Sequence, residues 1–307
     1  MFSHRPASRF LSSILCATFV VWLTPGAIAG EPIDVVGFNC ESGDADSVTL
    51  AGRIAAENGI DIWGLCEVLD ATWADAFKTA AADGENAAFA SIVGTTGGAD
   101  RMVILYNSAR FQEVRHFELH NINIGGNVRA PLVAELVEPA TGVQFFFMVN
   151  HLYRSKPQSR HEQARLLNQW ARLQTQPIIA VGDYNFDWEV EGGEVDHDKG
   201  YDELTKDGVF AWVRPAALEK TQCAEQYNSV LDFVFVTGQA QTWAAVSTIL
   251  PGNCPDDNLH SDHKPVKATF GPADGGPPPT NLKQQILDKI QSLEQQLQAL
   301  RQLVQQL

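Results

Sequence analysis

The sequence predicts an α/β domain made of two packed β-sheets covered by helices, and three observations lead there. Short apolar runs of strand type recur at close spacing between residues 34 and 270. Few helical stretches lie among them, which fits paired sheets under a helical cover. The two ends differ in composition from everything between them and separate as an address and a tail.

The address comes first. Residues 1–9 carry Arg5 and Arg9 without an acid, residues 10–23 are almost uninterrupted apolar sequence, and Ala27 and Ala29 put small residues where a signal peptidase cuts. That is the pattern of a secretory signal peptide over residues 1–29, shorter in its apolar part than the ~20 residues of a spanning helix. The mature chain is expected to be secreted or periplasmic, with no transmembrane segment.

Within the domain, residues 34–39 read as a strand, residues 47–58 as a helix with Leu50, Ile54 and Ala55 on one face and Gly59 ending it, and residues 60–67 as a second strand. Further strands are expected at 101–106, 131–136, 143–150, 177–181, 231–236, 243–249 and 266–270. Helices are expected at 72–82 and at 158–173, where Ala164, Leu167 and Trp170 mark the inner face. No internal repeat is evident.

The tail begins after Gly271. Residues 272–280 form a Gly/Pro linker stiffened by Pro277, Pro278 and Pro279. Beyond it Ile286, Ile290, Leu293, Leu297, Leu300, Val304 and Leu307 recur at alternating spacings of four and three, the seam of a coiled coil over residues 281–307. A homo-oligomer joined through residues 286–307 is expected, and the catalytic domain is assigned to residues 30–271.

The chain is 45% hydrophobic and 19% charged, which excludes a disordered chain and a membrane bundle. Lys and Arg total 22 against 37 Asp and Glu, a formal charge of -15, and loss of the leader removes two Arg and no acid to give -17. A broad basic face gripping a polyanion is thereby excluded. Export makes disulfides admissible. Cys223 and Cys254 both lie in turn-rich stretches and are expected to pair, whereas Cys40 and Cys66 end strands and are left open between a bridge and two buried thiols.

Polar residues interrupt the apolar runs where strands finish: Asn39, Glu67, Asn150, His151, Asp183, Asn185, Asp232, Asp262 and His263. One carboxylate at a strand end is ordinary turn chemistry, and one His there is commonly structural. Several carboxylates with two His point instead to hard oxygen ligands and a general base gathered on one edge of a sandwich.

Taken in order, Phe38-Asn39, Leu65-Cys66-Glu67-Val68, Asn150-His151-Leu152, Gly182-Asp183-Tyr184-Asn185, Leu231-Asp232-Phe233 and Ser261-Asp262-His263-Lys264-Pro265-Val266 resemble the endonuclease/exonuclease/phosphatase superfamily. The resemblance covers residues 34–270 and implies a four-layer α/β sandwich with two mostly antiparallel sheets. It implies that Glu67 is the principal ligand of a divalent metal, usually Mg with Mn or Ca as substitutes, with Asn39 beside it and Asp262 as a further metal-side carboxylate. It makes Asp232 the partner of His263, which acts as base toward water or as a cation on the phosphate. Asp183 and Asn185 would orient the water and hold a non-bridging oxygen, and His151 would face His263 as donor or general acid.

Such an inventory suits in-line attack of water on phosphorus, which needs a Lewis acid, oriented donors and a positioned base and no covalent nucleophile. Arg129, Arg154 and Arg160 are expected to reach substrate phosphate, against a surface salt bridge for Arg129 and helix-capping charge for the other two. The expected function is a secreted phosphodiesterase, an endonuclease on nucleic acid first. A lipid or small-molecule phosphoesterase is the alternative, and an inactive secreted binding module a further one.

Overall fold

A computed structural model of the chain describes Met1 and residues 30–126, 128–252, 254 and 257–271. The rest of the expected leader, the linker over 272–280 and the coiled-coil helix over 281–307 lie outside the described residues.

Strand β1 (Ile33–Asn39) leads through α1 (Ser47–Ala56) to β2 (Ile62–Val68), and α2 (Ala71–Glu85) precedes β3 (Phe89–Val93) and β4 (Arg101–Asn107). The chain continues through β5 (Gln112–Glu118), β6 (Leu132–Glu138), β7 (Val143–His151), α3 (Pro157–Ala171) and β8 (Ile178–Glu189). It closes with α4 (Lys199–Thr205), β9 (Phe210–Trp212), β10 (Ser229–Thr237), β11 (Ala245–Ile249) and β12 (Val266–Phe270). Asp46 and Asp70 start the first two helices by accepting from the backbone N–H groups of Thr49 and of Thr72 and Trp73.

Two six-stranded sheets result, ordered β11-β12-β1-β2-β4-β3 and β5-β6-β7-β8-β10-β9. Each is antiparallel except for one central parallel pair, β1 with β2 and β7 with β8. Alternation along these strands fills three layers of core. Val35, Ile62, Phe145, Phe147, Val149 and Val181 meet between the sheets. Val36, Phe38, Trp63 and Leu65 face Leu50 and Ile54 of α1 and Phe77 of α2. Phe146, Met148, Phe233 and Phe235 face Ala164 and Leu167 of α3 and Leu204 of α4. Strands buried on both faces read as continuous apolar runs, which is why they stand out in the sequence.

Beneath the ends of the parallel pairs the sheets come unusually close. Gly37 and Gly64 are register partners on β1 and β2. A Cβ on Gly64 would lie 2.3 Å from Val181 Cγ2 of the facing sheet, and one on Gly37 would lie 3.0 Å from Val181 Cβ.

The sandwich is the one expected, with four short elements the periodicity did not show: β3, β5, β9 and α4. Strand β8 also runs past its expected end at Val181 to Glu189. Cys223 and Cys254 form a disulfide, and Cys40 and Cys66 are buried free thiols.

Candidate active site

The C-terminal ends of the two parallel pairs meet across the sandwich. Asn39 and Glu67 arrive on β1 and β2, His151 and Asp183 on β7 and β8, and β10 places Asp232 opposite Asp183 in register. Departures from regular backbone aim these groups. Glu67 sits in a bulge between Leu65 and Val68 with φ of 52°. In β8, five residue steps from Asp183 to Trp188 oppose two in β10, and Asn185 and Asp187 take φ of 53° and 50° inside that bulge. Left-handed conformations at non-glycine residues persist only where the surroundings fix them, and they cluster at functional sites.

Hydrogen bonds, two of them buried, tie the last motif to the first strand. Ser261 Oγ donates to the Asn39 carbonyl at 2.6 Å and accepts from His263 N–H at 3.0 Å. Asp262 N–H donates to Glu41 Oε2 at 2.7 Å, and Glu41 N–H donates to Asn39 Oδ1 at 3.0 Å. Behind this loop, Thr221 Oγ1 accepts from the N–H groups of Leu231 and Asp232.

His263 Nδ1 lies 2.7 Å from Asp232 Oδ2, and its Nε2 points toward Asp183 Oδ2 at 3.9 Å and Asp262 Oδ1 at 3.7 Å. Burial opposes charge on the ring, but Asp232, Asp183 and Asp262 outweigh it and lift the pKa to about 10, so the ring is an imidazolium at neutral pH. His151 Nε2 stands 3.5 Å from Asp183 Oδ2 and 3.6 Å from Glu67 Oε1. Burial, with the charges of Arg129, His263 and Arg154, holds His151 well below the usual histidine range, so it is neutral. Burial raises Asp183 to about 7 against the pull of His263, while Asp232 and Glu67 push the same way as burial.

Among the described residues, Asp183, Asp232 and His263 bring ligand-type atoms within 4.8 Å of one another. This cluster is held together by its own hydrogen bond and carries a cationic ring, which repels a metal ion. The oxygen set of Glu67, Asn39 and Asp262 fits a hard divalent ion better, because Glu67 keeps 26% of its side chain open to the cleft. Asn39 now donates through Nδ2 to Glu67 Oε1 at 3.3 Å and to Asp183 Oδ2 at 3.2 Å, so ligation through Oδ1 calls for a half-turn of its amide.

A cleft of about 500 Å³ lies over these groups, lined by Glu67, His151, Asp183, Asn185, Asp262 and His263, with Asn39 and Asp232 behind them. Of the three arginines, Arg154 is exposed on the cleft wall. Arg160 also lines it, but its guanidinium is buried and donates to Asp198 Oδ2 and to the carbonyls of Tyr153 and Arg154. Arg129 makes a bidentate pair with Asp100 and is not among the residues lining the cleft. Eight cleft residues had no place in the sequence reading: Glu41, Gly43, Asp44, Ser155, Asp187, Gln222, Tyr227 and Ser229. Asp187 alone carried a signal, since Asp183, Asn185 and Asp187 repeat at every second position and Asp187 accepts from Ser229 Oγ at 2.7 Å.

A family model described as Endonuclease/Exonuclease/phosphatase family matches residues 36–253. No curated protein matches the chain. Among solved structures, D. rerio TDP2 complexed with a single-strand DNA product aligns with a TM-score of 0.61 at 16% identity, over 79% of this chain and 100% of that one. The human Nocturnin catalytic domain with bound sulfate gives 0.59 at 16% identity, over 78% and 93%. A Bacteroides thetaiotaomicron mannosyl-6-phosphatase gives 0.57 at 19% identity, over 78% and 99%.

Proposed function

The chain belongs to the endonuclease/exonuclease/phosphatase family, and on that premise we propose that it is a secreted, divalent-metal-dependent phosphodiester hydrolase, acting as an endonuclease. One observation carries the reading: Nε2 of His263 and Nε2 of His151 both reach toward Asp183 Oδ2, at 3.9 and 3.5 Å, while Glu67 stays open to the cleft.

Each group then has a task. Glu67, Asn39 and Asp262 would hold a divalent ion, Mg first, which when bound would supply Lewis-acid neutralisation of the phosphate. His263, fixed and held protonated by Asp232, presents its charge to the equatorial oxygens as negative charge builds there. Asp183, poised at about 7, takes the proton of the attacking water, with Asn185 holding the water or a non-bridging oxygen. His151 Nε2–H donates a hydrogen bond that steadies the departing oxygen, which takes its proton from solvent.

A second reading, a small-molecule phosphoesterase, draws on the cleft itself. Among the described residues lining it, Glu41, Asp44 and Asp187 share the wall with one exposed cation, Arg154, which suits a compact phosphoester better than a long polyanion.

The test is a substrate panel. Mature protein with Mg is offered plasmid DNA, RNA, sphingomyelin and bis-p-nitrophenyl phosphate, and hydrolysis is expected to stop with excess EDTA. Activity that survives EDTA overturns the metal-dependent mechanism. We also propose assembly through residues 286–307: sedimentation of residues 30–307 against 30–271 should give different masses per chain count, and two monomers would remove it.

A further inference from the structure

We propose that Cys66 is a positioning residue for the hydrolysis: its thiol clamps the end of β2 to the ends of β7 and β8 and so fixes the spacing between Glu67 and the pair of His151 and Asp183. This rests on the phosphodiester reading above and names what keeps groups from two sheets within reach of one phosphate.

Its own sheet anchors Glu67 on one side only. The pairing of β2 with β4 is interrupted between Leu65 and Val68, so Cys66 and Glu67 have no register partner there. On the other side Cys66 pairs with Asn39, and its carbonyl accepts from Cys40 N–H at 2.9 Å. A bulge re-aims a side chain by giving up ladder bonds, and a strand end released in this way needs another anchor.

The thiol supplies that anchor from the opposite sheet. Cys66 lies between the sheets with no exposed surface, and its Sγ–H donates at 3.2 Å to the carbonyl of Asn150, the residue before His151. The backbone N–H of Asp183 donates toward the same sulfur. Strand β8 comes this near only as glycine. Gly182 is the register partner of Asn150 and takes φ of 134°, and a Cβ on it would lie 2.0 Å from the Asn150 carbonyl oxygen. One sulfur thus meets three strand ends, each carrying a site residue at that position or at the next. Cys40 is the contrast, a thiol packed under the helices with its Sγ 3.9 Å from the Phe38 carbonyl, as a small apolar side chain would sit. In a dry interior even a thiol's hydrogen bonds hold geometry, and a misplacement of about 1 Å between reacting groups costs on the order of 100-fold in rate.

The test uses residues 30–307 in Mg with bis-p-nitrophenyl phosphate. Cys66→Ala should lower kcat about 10- to 100-fold with KM little changed, because a spacing error is felt in the transition state. Cys66→Ser leaves nearly the same gap but restores a donor and an acceptor, and should recover most of the loss. Packing alone would give these two variants the same kcat, and that result overturns the clamp. So does a Cys40→Ala variant that loses as much turnover as Cys66→Ala, since the same deletion under the helices should leave kcat at its wild-type value. The thiols also report without turnover. A hydrogen-bonded S–H stretches at lower frequency, and with Cys223 and Cys254 in a disulfide the infrared spectrum should hold two bands. The lower should vanish in Cys66→Ser and the higher in Cys40→Ala, and one shared band overturns the clamp. A wild type that hydrolyses nothing counts against the phosphodiester reading, and the bands then decide the clamp alone.

Discussion

The two halves of the site are made by unlike means. On the β1–β2 side, Asn39 closes its strand and Glu67 turns into the cleft through a one-residue bulge near the end of β2, leaving its carboxylate partly open. On the β8–β10 side the strand does not stop. Strand β8 passes through the site to Glu189 on a larger bulge, and the side chains of Asp183 and Asp232 keep only 4% and 2% exposure. The difference separates two requirements. A group that exchanges an ion or a substrate with solvent must stay reachable, whereas a group that moves a proton, and the one that fixes its neighbour's orientation, need a dry, rigid surrounding.

The strongest way to break this contrast is to empty the buried half. His263→Ala should lower kcat by about 10²- to 10⁴-fold, the usual contribution of a positioned acid, base or charge. Circular dichroism and the melting temperature should show that the sandwich survives. Near-wild-type turnover would mean that the His263–Asp232 pair is structural only.

A milder change acts on the chain that carries His263. The disulfide closes a 31-residue separation, and its partner Cys223 donates to the carbonyl of Asp262. Cys223→Ser with Cys254→Ser should destabilise the protein by about 2–4 kcal/mol in denaturant titrations. Activity should fall more on the His263 side than metal affinity falls on the Glu67 side. Equal losses of both would show that the halves are not separately supported.

The smallest effect is expected where the halves touch. Gly64→Ala places a methyl against Val181 and Val149, and overpacking of this kind costs about 1–3 kcal/mol. It should also raise KM by shifting Glu67 away from Asp183. A variant as stable and active as the wild type would show that the sheets separate freely under the site.

Much of this arrangement was legible in the sequence because its central strands are buried on both faces. Residues 143–150 and 231–236 announce themselves as apolar runs, and the polar residues ending them mark the site. The missed elements lack that signature. Strand β5 is an edge strand, Gln-Glu-Val-Arg-His-Phe-Glu, whose polar outer face hides its pattern. Strand β9 has three residues, too few to show a period. The apolar run of β8 stops at Val181, before Gly182-Asp183, while the strand continues through Asn185 and Asp187 in left-handed conformations that no local pattern encodes. Arg160 belongs to the basic cluster after His151, for which the sequence offers either a phosphate contact or helix-capping charge. Its guanidinium instead holds Asp198, 38 positions away, a contact set by how α3 and the β8–α4 loop pack.

Cys40 and Cys66 give the molecule an internal clock. One is buried against the helical layer and the other between the sheets, where its Sγ–H donates to the Asn150 carbonyl at 3.2 Å. Burial pushes both thiols well above the usual cysteine range, so neither is a thiolate while the sandwich is closed. An alkylating reagent can reach them only when layers part. The labelling rate of Cys66 therefore times how often the two sheets separate beneath the site, and that of Cys40 times the lifting of α1 and α2, two openings that heat or ligand would be free to change independently.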